Sequence, residues 1–278
     1  MISLLAPFLA MGILCCATGC TSENVHNPAN GKSLLADVPP LAWKNLAEKR
    51  VFFGHRSVGN NILQGIREIL DENNQIKLIV VEASSPEKYT SPIFGHSAIG
   101  ENGKPKSKVD AFSSILNSGV GNVADIAFFK FCFADIKADT DVEETFRYYK
   151  DAMAQLKAKY PKTVFLHVTV PLTVTRTTVK TWLKKALGMK RIWEYDHNIQ
   201  RNLFNRLLRQ EFADSGLVFD LEEAESTYPD GRRSSFSLHG QVYYALVPEY
   251  SDDGGHLNAL GRRMVAEKLL LLLAKLSS

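Results

Sequence analysis

The sequence from Arg50 to Asn61 reads Arg-Val-Phe-Phe-Gly-His-Arg-Ser-Val-Gly-Asn-Asn, and it changes character halfway. Residues 50–53 open an apolar run that predicts a buried strand. From Gly59 to Glu72 the apolar residues instead recur with the spacing of an amphipathic helix. A strand that passes through a short turn into a helix is the first half of a β-α unit. Ser57 stands at the junction.

The same alternation continues to the end of the chain. Further apolar runs predict strands at Ile76–Ala83, Val123–Phe133, Thr163–Val170 and Leu217–Leu221. Further amphipathic stretches predict helices at Ser107–Asn117, Val142–Lys159, Ile192–Asp214 and from Asn258 to about Lys275. Strands that alternate with helices indicate a parallel sheet covered on both faces. We therefore predict an α/β protein of the flavodoxin-like three-layer α/β/α type, with a central five-stranded parallel sheet.

Two segments interrupt this alternation. Ser84–Lys106 is polar and rich in Gly, Pro and Ser, and we predict a long loop of the kind that often carries function. Residues 173–191 form a predicted insertion without any acidic residue. Its basic residues are Arg176, Lys180, Lys184, Lys185, Lys190 and Arg191. The insertion is either a solvated helix face or a lid or surface for an anionic partner.

The amino terminus has the pattern of an export signal. Residues 2–16 are almost wholly apolar, and Ala17-Thr18-Gly19-Cys20 follows them. The apolar run is shorter than the roughly 20 residues of a membrane span and fits the core of a secretory signal peptide. The Ala-Thr-Gly-Cys sequence resembles a bacterial lipobox, in which Cys20 carries the lipid. We predict a signal peptide at 1–20, a tether at 21–40 and a folded domain at 41–278, exported and lipid-anchored in a bacterial cell envelope.

Composition and cysteine content exclude several classes of protein. The 278 residues are 45% hydrophobic and 23% charged, which excludes a disordered tail, a coiled coil and a collagen-like repeat. A net charge of +3 gives no indication of nucleic-acid binding, and we expect no nucleic-acid partner. Apart from Cys15, Cys16 and Cys20 in the leader, the only cysteine is Cys132. Neither an internal disulfide nor a cysteine-based zinc site is therefore expected in the domain.

Ser57 has two interpretations. In a parallel sheet the reactive groups gather at the carboxyl ends of the strands, which is where Ser57 follows the first strand. A serine at a helix N-terminus can act as a nucleophile, with its own N–H helping to hold an oxyanion. Serine is also a favoured residue for capping a helix. Position alone does not separate the two.

A second candidate group precedes the last helix. Asp253 and His256 are three residues apart on a Gly-containing loop, so one turn can bring the carboxylate to the imidazole. The acid would orient the imidazole, and His256 would take a proton from a serine. Asn258 is the evident cap of the last helix, which leaves His256 for another role. The pattern leaves open whether Asp252 or Asp253 is the partner, and an exposed loop histidine is the alternative.

Together these segments resemble the SGNH (GDSL-like) hydrolases. The resemblance rests on Ser57 after the first strand, on the Asp253-x-x-His256-Leu-Asn-x-x-Gly261 block, and on the strand–helix order across residues 50–275. It implies ester hydrolysis by a Ser57–His256–Asp253 triad, with no metal and no cofactor. The family sequence Gly-Asp-Ser-Leu is replaced here, because His55 and Arg56 separate Gly54 from Ser57.

The resemblance also implies an oxyanion hole. The family takes one donor from a glycine after the second strand and one from an Asn in a Gly-x-Asn-Asp block after the third. Asp135 can align with the Asp of that block, but Ala134 then takes the place of the Asn. We expect the donors to come from Gly100 and Asn102 in the long loop. Asn60 and Asn61 are the alternatives.

Other reactive residues have a structural and a functional interpretation each. Cys132 is a rival nucleophile or a buried core residue. His55 and His96 could join Asp135 and Asp253 in a metal cluster, although no ligand motif supports one. Lys130 interrupts an apolar strand, with Asp135 or a substrate as its expected partner. His167 in the fourth strand is read as a core histidine.

These expectations converge on a serine ester hydrolase that acts on a small-molecule or carbohydrate-linked ester through an acyl-enzyme. The envelope location favours an acylated glycan over a cytosolic metabolite. Two alternatives remain: an O-acyltransferase on the same scaffold, and a non-catalytic glycan- or envelope-binding protein. The binding protein would hold Ser57, Asp253 and His256 too far apart for hydrogen bonds.

Overall fold

Six parallel strands form the central sheet in a computed structural model, which describes residues 33–175, 183–184, 186–187, 189 and 193–278. The strands are β1 Arg50–His55, β2 Val80–Glu82, β3 Ile93–Ala98, β4 Ile126–Phe129, β5 Val164–Val168 and β6 Val218–Phe219. Their spatial order is β2-β3-β1-β4-β5-β6. β1 lies at the centre between β3 and β4. The carboxyl end of β1, which Ser57 follows, therefore lies near the middle of the row of strand ends. In this class of fold, sites form at the carboxyl ends of the strands.

Helices cover both faces of the sheet, which confirms the predicted three-layer α/β/α fold. They are α1 Pro40–Ala47, α2 Val58–Glu72, α3 Pro105–Ile115, α4 Val142–Lys159, α5 Trp193–Phe212, α6 Leu221–Ser226 and α7 Ala259–Leu276. On one face α1, α2 and α7 pack in a single apolar cluster that includes Trp43, Ile66 and Val265. On the other face α3, α4 and α5 contribute Phe112, Tyr149 and Phe204 to a second cluster.

The prediction of five strands is wrong, because the segment we read as a long loop contains β3. That strand reads Ile-Phe-Gly-His-Ser-Ala, a sequence too polar to be recognised as a strand. Two of its residues that are not apolar lie in close contact with neighbours. A Cβ on Gly95 would lie 2.2 Å from the hydroxyl oxygen of Tyr89. His96 lies beside His55 on the adjacent strand, with ring nitrogens 3.1 Å apart. The predicted strand at Ile76–Ala83 shrinks to β2, at the edge of the sheet.

An antiparallel hairpin lies outside the main sheet and was not predicted. It pairs β7 Ser235–Leu238 with β8 Gln241–Tyr244. A small apolar cluster forms where it meets α5, around Tyr195 and Leu238. The hairpin therefore extends the domain without adding to the central sheet.

The amino-terminal boundary of the domain lies before the predicted one. Residues 33–40, which we placed in the tether, pack on α7: Leu35 is 3% exposed, and Ser33 Oγ donates to Glu267 at 3.1 Å. The predicted signal peptide, Cys20 and the tether before residue 33 lie outside the described residues, as does most of the predicted insertion at 173–191. No helix of the described part of the chain is both long and apolar enough to cross a bilayer.

The close contact between α2 and α7 positions the two ends of the chain. A Cβ on Gly65 of α2 would lie 2.5 Å from the carbonyl oxygen of Arg262 in α7. Two ion pairs join the same helices, Glu68 with Arg262 and Glu72 with Arg263. Because Ser57 precedes α2 and the 251–258 loop precedes α7, this contact brings the predicted site residues to one edge of the sheet.

Candidate active site

Ser57 lies between the carboxyl end of β1 and the first residue of α2. Its backbone has φ 54° and ψ −114°, in a region that non-glycine residues seldom adopt. Its side chain makes no capping hydrogen bond to α2. Within the described residues its N–H also donates to no acceptor. The sharp turn therefore leaves both the hydroxyl and the amide of Ser57 free of the contacts that a purely structural cap would make.

The hydroxyl of Ser57 contacts His256, which stands near the other end of the chain. Ser57 Oγ lies 2.7 Å from His256 Nε2, although 199 positions separate them in sequence. The opposite ring nitrogen, Nδ1, lies 2.6 Å from Asp253 Oδ2. A hydroxyl, an imidazole and a carboxylate in this order are the groups that activate a serine nucleophile.

The loop before α7 holds Asp253 as an ionised carboxylate. Asp253 Oδ1 accepts the backbone N–H of Gly255 and of His256, both at 2.8 Å. The Ser251 hydroxyl donates to the same oxygen at 3.2 Å. The bonds from the His256 backbone and side chain, followed by the Gly255 N–H, hold the pKa of Asp253 well below its usual range. The carboxylate is therefore charged throughout the neutral pH range.

The structure distinguishes the two neighbouring acids. Asp252 Oδ1 accepts the side-chain amide of Asn258 at 3.1 Å. Asn258 in turn caps α7, because its Oδ1 accepts the Gly261 N–H at 3.1 Å. Asp253, and not Asp252, is thus the acid that contacts His256.

Solvent reaches this group of residues. The side chains of His256 and Asp253 are 47% and 58% exposed. The ring of Phe133 meets the His256 ring edge-on, with centroids 5.4 Å apart. Buried Arg201 lies behind it, its guanidinium 5.6 Å from the Phe133 ring centroid. The sequence did not single out Phe133 or Arg201, because no motif marks a residue that contributes only through packing contacts.

The expected oxyanion donors Gly100 and Asn102 lie in the segment after β3, and the alternative donor Asn61 lies near the start of α2. Gly100 follows Ile99, whose N–H donates to the His55 carbonyl at 3.1 Å. Asn102 is exposed, and its side-chain oxygen accepts Lys108 Nζ at 3.0 Å. The side-chain oxygen of Asn61 accepts the Leu257 N–H at 3.3 Å, which ties α2 to the His256 loop. Donation by these three residues to an oxyanion stays a prediction.

A buried ion pair that was not predicted joins α3 to the segment after β4. Lys108 and Asp135 are both fully buried, with Nζ and Oδ2 2.5 Å apart. Asp135 also accepts the N–H of Gly103 at 2.7 Å and of Cys132 at 2.6 Å. Asp135 thus joins the 99–103 segment to the residues after β4. Lys108 gave no signal in the sequence, because a lysine in an amphipathic helix is read as solvent-facing.

Cys132 and Lys130 are fully buried just beyond β4. Cys132 is the one free cysteine of the described residues and is 0% exposed, as its core interpretation expects. Lys130 is likewise 0% exposed. It contacts the Phe131 carbonyl at 3.1 Å and Cys132 Sγ at 3.5 Å. Asp135, its expected partner, is instead paired with Lys108.

The histidines that could have formed a metal cluster lie apart from the acids proposed with them. His55 Nε2 and His96 Nδ1 are 3.1 Å apart, while Asp253 is engaged by His256. Burial, followed by the charges of His96 and Lys130, lowers the pKa of His55 to about 3. In the described part of the chain no three histidine, cysteine or carboxylate side chains are arranged to hold a metal ion.

Comparisons with known proteins give only distant matches. No protein-family model and no curated protein matches the sequence. One similar solved structure, from Streptococcus pneumonia, is described provisionally as a platelet activating factor. It has a TM-score of 0.47 and 16% identity, over 84% of this chain and 90% of that chain. Another, provisionally a lipolytic protein of the G-D-S-L family from Desulfitobacterium hafniense DCB-2, has a TM-score of 0.43 and 9% identity, over 81% of this chain and 99% of that chain.

Proposed function

We propose that this protein is a serine ester hydrolase that acts through an acyl-enzyme on Ser57. The observation that carries the proposal is the unbroken chain of contacts from Ser57 Oγ to His256 and on to Asp253, at 2.7 and 2.6 Å. A protein that kept the fold only for binding would not need these side chains within hydrogen-bond distance. The geometry therefore favours catalysis over the non-catalytic alternative.

In the first half of the reaction, Ser57 Oγ attacks the carbonyl carbon of the ester. His256 Nε2 accepts the serine proton as the new C–O bond forms, and the carbonyl oxygen becomes an oxyanion. Asp253 stabilises the resulting imidazolium through Nδ1. The tetrahedral intermediate then collapses: the ester C–O bond breaks, and the proton on Nε2 passes to the departing alcohol.

In the second half, water attacks the acyl-enzyme. His256 Nε2 takes a proton from that water, and a second tetrahedral intermediate forms. Its collapse breaks the bond to Ser57 Oγ, which receives the proton back and releases the carboxylic acid. If a sugar hydroxyl replaces water in this step, the same residues perform acyl transfer.

The Ser57 N–H is the donor best placed for the oxyanion. It belongs to the attacking residue, stands at the positive end of α2 and lacks an acceptor in the described residues. Gly100 and Asn102 are proposed as further donors. The open face of the site, with Phe133 as one wall, is compatible with a small-molecule or carbohydrate ester.

The test is hydrolysis of p-nitrophenyl acetate by the purified chain, together with labelling by a fluorophosphonate. We expect Ser57→Ala to abolish both turnover and labelling, and peptide mapping to place the label on Ser57. Ser114→Ala is the matched control, because Ser114 is an exposed serine remote from the triad. Equal turnover in wild type and Ser57→Ala would refute the assignment of the nucleophile.

A second assay separates hydrolase from transferase. Turnover that rises severalfold on adding a glycan or polyol acceptor, with the acylated acceptor as product, would favour the O-acyltransferase. Turnover that is indifferent to acceptors and releases free acid would favour the hydrolase.

We also propose that the protein is exported and lipid-anchored through Cys20. The support is the apolar stretch of residues 2–16 followed by Ala17-Thr18-Gly19-Cys20. Growth in labelled palmitate should label the wild-type protein, and Cys20→Ser should abolish the label. Cys16→Ser is the matched control and should keep it. A label that persists in Cys20→Ser would refute this anchor.

A further inference from the structure

The Arg56–Ser57 peptide bond is held by contacts on its carbonyl side. The Arg56 carbonyl accepts the Gly59 N–H at 3.1 Å and the Cys132 thiol at 3.4 Å. In a trans peptide the C=O and N–H groups point in opposite directions. The Ser57 N–H is therefore directed away from Cys132, and any contact that fixes this carbonyl also fixes the direction of that N–H.

The thiol of Cys132 is itself fixed from both sides. Its backbone N–H donates to Asp135 Oδ2 at 2.6 Å. Its Sγ lies 3.5 Å from Nζ of Lys130, which donates to it. The thiol thus accepts from Lys130 and donates to the Arg56 carbonyl.

Lys130 is an unusual donor at the start of this series. Its side chain is wholly buried, and within the described residues no carboxylate lies within ion-pair distance of it. Asp135, the nearby acid, is taken up by Lys108. Burial lowers the pKa of Lys130, and the nearby Cys132 opposes that shift. Lysine is seldom buried without a paired acid, so packing alone accounts poorly for its presence here.

We infer that Lys130 and Cys132 are positioning residues that orient and polarise the Arg56–Ser57 peptide, so that the Ser57 N–H becomes a stronger donor to the oxyanion. Hydrogen bonds in series polarise one another, and they do so more strongly in a low-dielectric interior. The N–H that Lys130 donates to the thiol strengthens the bond from the thiol to the Arg56 carbonyl, and this leaves the peptide N–H more positive. This inference rests on the proposed function of Ser57 as nucleophile.

The expected loss of kcat in the Cys132 and Lys130 variants is smaller than the loss caused by removing a whole oxyanion donor. Loss of one oxyanion donor typically lowers the rate by about 10²–10³-fold. The Ser57 N–H would remain in the variants but would be less polarised and less well oriented. We therefore expect about a tenfold loss of kcat, with KM unchanged, because the oxyanion exists only in the transition state.

The experiment compares four variants of the full chain. Cys132→Ala removes the thiol, Cys132→Ser keeps a hydroxyl donor, and Lys130→Met removes the buried amino group at similar side-chain length. Ile136→Val is the matched control, because Ile136 is also fully buried in the same segment but has no part in the series. Each kcat is divided by the fraction of active sites titrated with a fluorophosphonate, which removes any loss due to misfolded protein.

A boronic acid gives a readout that a structural role would not change. It adds to a serine Oγ and presents a tetrahedral oxygen to the oxyanion donors. We expect Cys132→Ala and Lys130→Met to lower both kcat per titrated site and boronate affinity about tenfold. Cys132→Ser should recover most of both, and Ile136→Val should match the wild type.

Two results would overturn the inference in distinguishable ways. If Ser57→Ala abolishes turnover while Cys132→Ala and Lys130→Met keep kcat and boronate affinity within twofold, Ser57 remains the nucleophile and the positioning role fails. If the wild type forms no Ser57-dependent boronate or fluorophosphonate adduct, the proposed function fails and the inference fails with it.

Discussion

At the scale of single residues, Asp253 shows how backbone and side chain can serve one role. One carboxylate oxygen is held by the N–H groups of Gly255 and His256, which leaves the other oxygen for the His256 ring. The backbone of the loop thus fixes the acid before any substrate arrives. Little reorganisation is then needed when the imidazolium forms, which is how preorganised groups lower a barrier.

We expect Asp253→Asn to lower kcat by about 10²–10⁴-fold, because an amide neither stabilises the imidazolium nor enforces the tautomer. The matched control is Asp252→Asn, which changes the neighbouring acid that contacts the Asn258 side chain. Its kcat should stay within about twofold of the wild type. Steady-state kinetics on a nitrophenyl ester measure both. Equal losses in the two variants would show that loop charge, and not the contact with His256, matters.

A second residue-scale prediction concerns the buried His167. Burial lowers its pKa from 6.5 to about 4, and its Nδ1 lies 2.7 Å from the Tyr149 hydroxyl. Between about pH 6.5 and pH 4 the unfolded chain binds a proton on this residue and the folded protein does not. The free energy of unfolding therefore falls as the pH drops through this window, by at most about 1.4 kcal/mol per pH unit for this histidine.

His167→Gln removes the titration, so its stability should depend less steeply on pH in that window. Urea unfolding of wild type and variant at several pH values between 7 and 4 measures the two slopes. Other groups titrate equally in both proteins, so only the difference in slope is diagnostic. Parallel slopes would contradict a neutral His167 in the fold.

At the scale of elements, the contact between α2 and α7 brings together Ser57 and His256, the proposed nucleophile and base. Gly65 permits this approach, since a Cβ there would lie 2.5 Å from the Arg262 carbonyl oxygen. We expect Gly65→Ala to separate the helices, to lower the free energy of unfolding by about 1–3 kcal/mol and to lower kcat as Ser57 and His256 move apart.

The control for that variant is Gln64→Ala, the neighbouring exposed position on α2. It should change stability by no more than about 0.5 kcal/mol. Denaturant unfolding and nitrophenyl ester kinetics on both variants test the expectation. Unchanged kcat in Gly65→Ala, despite lower stability, would show that helix spacing does not govern the site.

The elements also show which parts of the fold the sequence could predict. β1 was recognised because its run Val51–Phe53 is apolar and buried on both faces. β3 was missed because its glycine, histidine and serine interrupt the apolar pattern of a buried strand. The fit of Gly95 against Tyr89 and the contact of His96 with His55 are tertiary contacts that periodicity does not show. α1 was not predicted as a helix, and Pro39 and Pro40 at its start were placed in the tether because two prolines resemble a linker. Trp43 of this helix is nevertheless 1% exposed.

The candidate site was likewise predicted only in part from the sequence. Ser57, Asp253 and His256 were named in advance because each follows or precedes a predictable element and carries a reactive group. Lys108 was not named, because its burial depends on a contact with Asp135. That residue lies 27 positions away, and local periodicity does not show such a contact. The side-chain oxygen of Asn102, an expected oxyanion residue, is occupied by that same lysine.

At the scale of the whole molecule, residues before α1 belong to the folded unit. Residues 33–278 cluster as one unit by their contacts, and Leu35 is buried against α7. A chain that begins at Leu41 should therefore unfold more easily than one that begins at Ser33, by about 1–3 kcal/mol, because it loses the burial of Leu35. Urea unfolding of the two chains measures the difference. Identical midpoints of urea unfolding would show that residues 33–40 add no stability and belong to the tether.

The distance in sequence between Ser57 and His256 has a consequence for the order of synthesis. The two residues are 199 positions apart, and the chain between them includes every strand of the sheet after β1. Ser57 is therefore synthesised long before His256, which we propose as its base, so a nascent chain that has not yet reached Asp253 should lack the activated serine. We expect a product of premature termination ahead of Asp253 to be inactive towards esters for the same reason.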